Sequence, residues 1–428
     1  MMKYEEYKTS GVDWPGRMPR HWEIKRIKDL FSQISLNSSE LPENGYIPLE
    51  NIESFTGRLI RRTSNENGES AKLFNRGDIL LNKLRPYLGK VFIPSFDGGV
   101  SGEVVVLRYN ASLWKKNVYT RYFFYKFLST NFIYKINSLS DGVKMPRTSP
   151  SKILRLEIGI PTFIEQESIS RYLDEKTQAI DKKVKLLSQK IEYYKELRIS
   201  LINDVVIKGL DKTVTLKESS MDWIGQIPEH WEVKRGKDMF IEKSVKGFPN
   251  QPLLAASQKQ GVVLKTMLEN RSMEAQKSFD KFKLVERDDF VISLRSFEGG
   301  IEISYYRGII SPAYTVFKVK NDLMSAYYKH LFKSSQFVCK LQTLITGIRD
   351  GQAIKFEEIQ NVFFPIPEKD EQLAIAQYLD QKTTTIDKMT ENISGQIDRL
   401  KELRKTLIND VVTGKIRVFE ATENSVEV

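Results

Sequence analysis

Apolar and polar positions along the 428-residue chain follow two rhythms, and each rhythm occurs twice. Short runs of β-branched and aromatic residues bounded by Gly, Pro, Asn and Asp read as strands: Asp78–Leu84, Glu103–Tyr109 and Ala313–Val319. Aromatic residues at i, i+3 and i+4 predict a helix over Tyr119–Leu139 and another over Leu323–Ile345, their aromatic faces turned to the core rather than stacked on bases. Two longer stretches, poor in Gly and Pro, carry a different period. In the first, Ile180, Val184, Leu187, Ile191, Tyr194, Arg198, Leu201 and Val205 alternate in steps of four and three. In the second, Ile386, Thr390, Ile393, Ile397, Leu400, Arg404, Leu407 and Val411 do the same. This is the heptad spacing of a coiled-coil seam, broken once in each stretch by an arginine at the equivalent place. Thr162 and Glu165 make a candidate capping box after Pro161, and Gly209 and Gly414 stand where C-caps belong, so each helix spans about 60 Å.

The doubling is literal. Asp13–Phe31 (DWPGRMPRHWEIKRIKDLF) returns as Asp222–Phe240 (DWIGQIPEHWEVKRGKDMF), identical at 12 of 19 positions. Tyr172–Lys182 (YLDEKTQAIDK) returns as Tyr378–Lys388 (YLDQKTTTIDK), and Glu196–Val206 (ELRISLINDVV) as Glu402–Val412 (ELRKTLINDVV). Between these anchors the copies diverge, so the chain is one unit used twice whose ends hold while its middle varies. Pairing the two helices with each other, antiparallel, is the most economical use of a seam that occurs twice; the alternative is each helix folding onto its own domain. It sets two mixed α+β domains on a pseudo-two-fold frame. The boundaries follow: globular residues 1–161, helical 162–209, globular 210–367, helical 368–415, and a tail over 416–428.

Charge adds a partner to this picture. The chain carries +11, and residues 1–165 alone hold 25 basic against 17 acidic side chains, an excess that commonly marks a polyanion partner but also occurs in soluble proteins with no nucleic-acid role. A charged N-terminus and the lack of any apolar run near 18 residues point to the cytoplasm. The single cysteine, Cys339, reads as a semi-buried helix residue and excludes an internal disulfide or thiolate cluster. No phosphate loop, dinucleotide fingerprint, GxSxG elbow, HExxH helix or amine-holding Asn/Asp-Pro-Pro-aromatic motif occurs. Gly98, Gly99 and Gly102 read as a tight turn between strands. Of three histidines, His21 and His230 occupy matching His-Trp pairs and read as corners tying each domain's start to its core. Catalytic and metal sites are therefore assigned to no residue.

The domain openings MPRHWEIKRIKDLF and IPEHWEVKRGKDMF, the pre-helix segments IPTFIEQESISRYL and IPEKDEQLAIAQYL, and the repeated helices together resemble the specificity subunits of type I restriction-modification enzymes across nearly the whole chain. The resemblance implies two target-recognition domains separated by two helical regions that pair as an antiparallel coiled coil, with Ile180, Val184, Leu187, Ile191, Tyr194, Leu201, Ile386, Ile393, Ile397, Leu400 and Leu407 at the pairing face. It implies sequence-specific binding of double-stranded DNA, each domain reading one half of a bipartite site while helix length sets the unread gap. Partners implied are two methyltransferase subunits and restriction motor-nuclease subunits. S-adenosylmethionine, ATP and Mg belong to those partners, and this chain is a non-catalytic recognition subunit without a cofactor of its own. A coiled-coil scaffold without DNA reading, or service to a fused methyltransferase-nuclease, stand as alternatives. Candidate DNA contacts are the cations of turn-like basic segments: Lys83, Arg85 and Lys90 in NKLRPYLGK, and Lys144 and Arg147 in DGVKMPRTS. The second domain offers Arg295 in SLRSFEGG, with Glu298 and Glu302 expected close by, and Arg349, Gln352 and Lys355 in GIRDGQAIK.

Overall fold

A computed structural model describes residues 3–11, 14, 16–41, 43, 45–63, 70–110, 118–258, 260–268, 279–320, 323–345 and 354–418. The chain divides into two units: Met1–Ser188 with Gly395–Val428, and Gln189–Ser394. Each unit holds one globular domain together with the start of one long helix and the end of the other.

In unit 1 a four-stranded antiparallel sheet runs in the order Phe31–Ile34, Val104–Tyr109, Ile79–Asn82, Val91–Phe92. Its central strand is apolar at consecutive positions because both of its faces are covered. Val105 and Leu107 enter the main core with the helices, while Val104 and Val106 enter a second core under the sheet Asn37–Ser38, Ala71–Phe74, Gly98–Val100, Tyr46–Ile47. Gly98 and Gly99 thus sit inside a buried strand rather than in the expected turn. A Cβ at Gly98 would lie 2.3 Å from the Gly45 carbonyl oxygen, so only glycine lets the two segments approach. Unit 2 repeats the four-stranded order with Phe240–Lys243, Thr315–Val319, Phe290–Ile292 and Glu302–Ile303. A two-stranded ribbon recurs as well: Glu23–Arg26 with Glu157–Ile160, and Glu232–Arg235 with Phe363–Ile366.

The aromatic helices are core, as their periodicity predicts, but each is two helices. Thr120–Leu128 gives way to Thr130–Ser138 at Ser129, and Ser325–Leu331 to Ser335–Thr343 around Ser334. Both serines are N-caps, accepting from the Phe132 and Phe337 amides. Tyr122, Phe123, Phe127, Tyr327, Tyr328 and Phe332 are all fully buried. Cys339 lies on the outer face of Ser335–Thr343 and is exposed, not semi-buried.

The first long helix runs Phe163–Lys208 and the second Lys369–Val412, about 69 and 66 Å at 1.5 Å per residue. Gly209 and Gly414 close them with φ of +75° and +78°. The Thr162–Glu165 capping box is only half formed. The Glu165 amide donates to Thr162 Oγ1 at 3.4 Å, but its carboxylate turns inward. Every seam position is at least half-buried: Ile180, Val184, Leu187, Ile191, Tyr194 and Leu201 on the first helix, and Ile386, Ile393, Ile397, Leu400 and Leu407 on the second. Within unit 1, Ile169 and Leu173 of the first helix share a core with Val411 and Val412 of the second, and further along Asp181 meets Arg404. Within unit 2, Ile202 and Val206 share a core with Ile375 and Leu379, and Arg198 meets Asp387. In each unit, then, the two helical segments run antiparallel.

The arginines that interrupt the seam have a reason. Arg404 Nε lies 3.1 Å from Asp181 and Arg198 Nε lies 3.1 Å from Asp387, so each arginine of the ELR motif answers the aspartate of the other copy's IDK motif. The remaining repeated residues fasten each domain to the helices. Glu165 receives Tyr4 Oη, Trp22 Nε1 at 3.2 Å and His21 Nε2 at 2.8 Å; Glu371 receives Trp231 Nε1 and His230 Nε2, both at 2.9 Å. Gln166 and Gln372 accept from the Tyr119 and Met324 amides that open the aromatic helices. At the far helix ends, Asn409 accepts from the Asn131 amide and Asn203 from the Ser335 amide. Tyr327 Oη donates to the Val206 carbonyl at 2.7 Å, and in unit 1 Lys126 Nζ donates to the equivalent Val412 carbonyl at 2.8 Å. Full burial pushes Lys126 down to about 7. Residues Ile416 and Val418 of the expected tail pack on the unit 1 core.

Candidate nucleic-acid interface

In unit 1 the basic segment NKLRPYLGK links the strand Ile79–Asn82 to the edge strand Val91–Phe92 through a 3₁₀ turn, Pro86–Leu88. Asn82 builds it. Fully buried, its amide donates to the Leu84 and Arg85 carbonyls, each at 2.9 Å, and its oxygen accepts from the Lys90 amide at 3.0 Å. These bonds hold Arg85 in the left-handed region (φ +48°), a conformation costing a non-glycine residue roughly 1 kcal/mol or more. Pro86 then starts the turn at its favoured first position.

The second basic segment, DGVKMPRTS, lies beside the first. Arg85 N donates to the Pro146 carbonyl at 2.7 Å, and Thr148 N donates to the Lys83 carbonyl at 3.0 Å. The fold therefore brings Lys83, Arg85, Lys144 and Arg147, separated by about sixty positions in sequence, onto two adjoining loops. Lys144 is exposed and Arg147 pairs with Glu103 at 2.8 Å; Lys83 and Arg85 are half-buried with their backbones in the clamp. Lys90 is placed differently. Its ammonium donates to the Leu49 and Glu50 carbonyls at 2.9 and 3.2 Å, and burial lowers its pKa, so its first task is to tie the 49–50 loop. Sequence reasoning missed Asn82 here. The Asn at a strand end followed by Pro and Gly was the one available signal for Asn82.

In unit 2 the corresponding link between the strands Phe290–Ile292 and Glu302–Ile303 is a short helix, Ser296–Gly299, and Arg295 is its N-cap residue as Arg85 is for Pro86–Leu88. The pattern match between the two arginines is a match of place in the fold. Arg295 is exposed and held by Glu298 at 3.0 Å. Glu302, expected beside it, points inward instead, paired with Lys333; burial raises the Glu302 carboxyl and lowers the Lys333 ammonium. The strand pattern places Glu302 on the inner face, which proximity in sequence to Arg295 concealed. Lys355 is the exposed N-cap residue of Phe356–Asn361, the position Ser149 fills ahead of Pro150–Leu154. Arg349 and Gln352 lie outside the described residues. Among the described residues no His/Cys/Asp/Glu group suited to a metal ion occurs, and no helix is long and apolar enough to cross a membrane.

Residues 19–193 and 228–399 match the profile of the type I restriction modification DNA specificity domain, one match per repeat. The chain is 25% identical to the type I restriction enzyme MjaVIII specificity subunit of Methanocaldococcus jannaschii, over 94% of each chain. Against the putative MjaX specificity subunit of the same organism it is 23% identical, covering 97% of this chain and 98% of the other. Among solved structures it resembles a chain from a structure of a type I R-M system studied for its complex assembly and conformational transition: TM-score 0.70 and 16% identity, over 93% of this chain and 99% of that one. The HsdS subunit of Thermoanaerobacter tengcongensis follows the same fold, with TM-score 0.54 and 17% identity over 96% of this chain and 100% of that one.

Proposed function

Because the chain belongs to the type I restriction-modification DNA specificity family, we propose that it reads a bipartite DNA site, one half through each unit, and directs partner subunits without catalysing a reaction itself. The observation that carries this reading is the recurrence of one loop position in the fold. An arginine occupies the N-cap position of the short helical link between the same two strands in two domains whose frame contacts are alike and whose loop sequences differ. Like frames with unlike loops suit two different half-sites on one duplex, and phosphate-positioning cations beside variable loops suit base reading.

The same reading extends to the partners. The ion pairs and domain anchors consume the inner faces of the long helices, leaving outer faces for two methyltransferase subunits; restriction motor-nuclease subunits join for cleavage. S-adenosylmethionine, ATP and Mg then sit on those partners, and the complex works in the cytoplasm. Mobility shifts of the chain with its methyltransferase test the reading. Sequence-dependent binding that weakens steeply with salt is expected, while binding absent at every salt concentration, from a complex that still assembles, would leave a protein scaffold only.

A further inference from the structure

One loop of unit 1 keeps apolar side chains in water. Asp141 N donates to the Arg147 carbonyl at 2.9 Å and Arg147 N to the Asp141 carbonyl at 3.0 Å, closing a hairpin with Gly142 at φ +88°. At its tip Val143 is 101% exposed and Met145 58%, with exposed Lys144 between them. The base of this hairpin is fixed. Besides the Arg85–Pro146 and Thr148–Lys83 hydrogen bonds, Lys152 Nζ holds both Asp141 Oδ2 and the Leu139 carbonyl at 2.9 Å. Folding therefore gains no burial from Val143, although fully burying such a side chain is worth about 1.5 kcal/mol or more. The tip is prepared for something outside the chain.

Charge identifies the occupant. Asp141 and Glu103, the acids ion-paired at the hairpin, are engaged by Lys152 and Arg147, and Lys144 at the tip with Lys83 and Arg85 on the adjoining loop adds positive charge. A three-residue tip is far too small for a stable protein interface, which takes about 800 Å² per partner. A narrow hairpin fits the major groove of B-form DNA, where the thymine C5-methyl is the apolar group a base pair presents. We infer that the 141–147 hairpin is the base-reading element of unit 1, with Val143 and Met145 seated on a thymine methyl and Lys144 on an adjoining acceptor or phosphate. This rests on the half-site reading above.

The test uses the chain with its methyltransferase and a duplex carrying the methylated motif. Each thymine is replaced in turn by deoxyuridine, which lacks the methyl. With the native chain, one replacement in a single half-site is expected to weaken binding about fourfold, the equivalent of one buried methylene. Val143→Ser and Met145→Ser, both at exposed positions, are expected to lower affinity for the native motif and to erase that sensitivity, with the melting temperature and the other half-site unchanged. A complex indifferent to every deoxyuridine, or variants that keep the native sensitivity, would overturn the hairpin assignment while specific binding persisted. Loss of all motif-dependent binding by the native complex would instead overturn the half-site reading itself.

Discussion

Arg404 and Arg198 occupy the same place in the repeat, yet they are predicted to differ in what their removal costs. Arg404 is buried, its side chain 7% exposed. Its guanidinium faces Asp181 and donates to the Phe55 carbonyl and, at 3.1 Å, to the Thr56 carbonyl. Asp181 is also held by Arg58 at 2.7 Å. Arg404→Leu therefore leaves a half-buried carboxylate with one remaining partner and strips two carbonyls of their donor. Breaking a buried pair costs about 3–5 kcal/mol, and the surviving Arg58 contact places this case near about 3. Arg198 is half-exposed and its Asp387 partner 59% exposed, and among the described residues no loop carbonyl is bonded to the guanidinium. Such a pair contributes roughly 0–1 kcal/mol. Hydrogen exchange resolved by mass spectrometry measures both. In Arg404→Leu, amides over residues 49–60 should exchange about a hundredfold faster, since 1.4 kcal/mol is a factor of ten. In Arg198→Leu, unit 2 should change less than about fivefold. Equal effects, or a silent Arg404→Leu, would refute the claim that loop carbonyls distinguish the two sites.

Two further outcomes follow from the frame. Lys126 has a native pKa near 7 against about 10.4 unfolded. Between those values the unfolded chain binds more protons, so stability should rise with pH by up to about 1.4 kcal/mol per unit. Urea titrations at pH 7 and 9.5 should show Lys126→Met losing this slope, and parallel pH profiles for the two proteins would contradict it. Inserting seven residues, two turns, in both long helices adds about 10 Å. Methylation mapping should then show a longer unread gap, by at most about three base pairs, between unchanged half-sites; altered half-sites around a fixed gap would end the ruler idea.

Legibility in the sequence tracked how local each cause is. The heptad seam was readable because periodicity is a property of one helix, and every seam position proved at least half-buried. The arginines in that seam were visible as an anomaly, but their meaning was not. Asp181 is over two hundred positions from Arg404, and an antiparallel pairing joins the first copy's motif to the second's. The matching His-Trp pairs mark the anchors in the sequence, whereas Glu165 has the spacing of a helix cap because the nearby Thr162 offers a local partner. The aromatic helices were located but not their breaks: Ser129 and Ser334 act through single N-cap bonds that an aromatic period runs straight across. In the interface, lysines and arginines announced themselves by charge. Asn82 and Val143 did not, since one works by holding backbone and the other by its exposure, and neither property has a compositional mark.

The central claim, that two unlike domains on one frame read two half-sites, is tested most directly by sequencing the methylome of a host lacking its own modification systems. The host would express this chain with its methyltransferase, and in parallel the methyltransferase alone. A split motif, methylated in each half only when this chain is present, is predicted. A continuous motif, or methylation by an active, co-purifying pair that is the same with and without the chain, would contradict it.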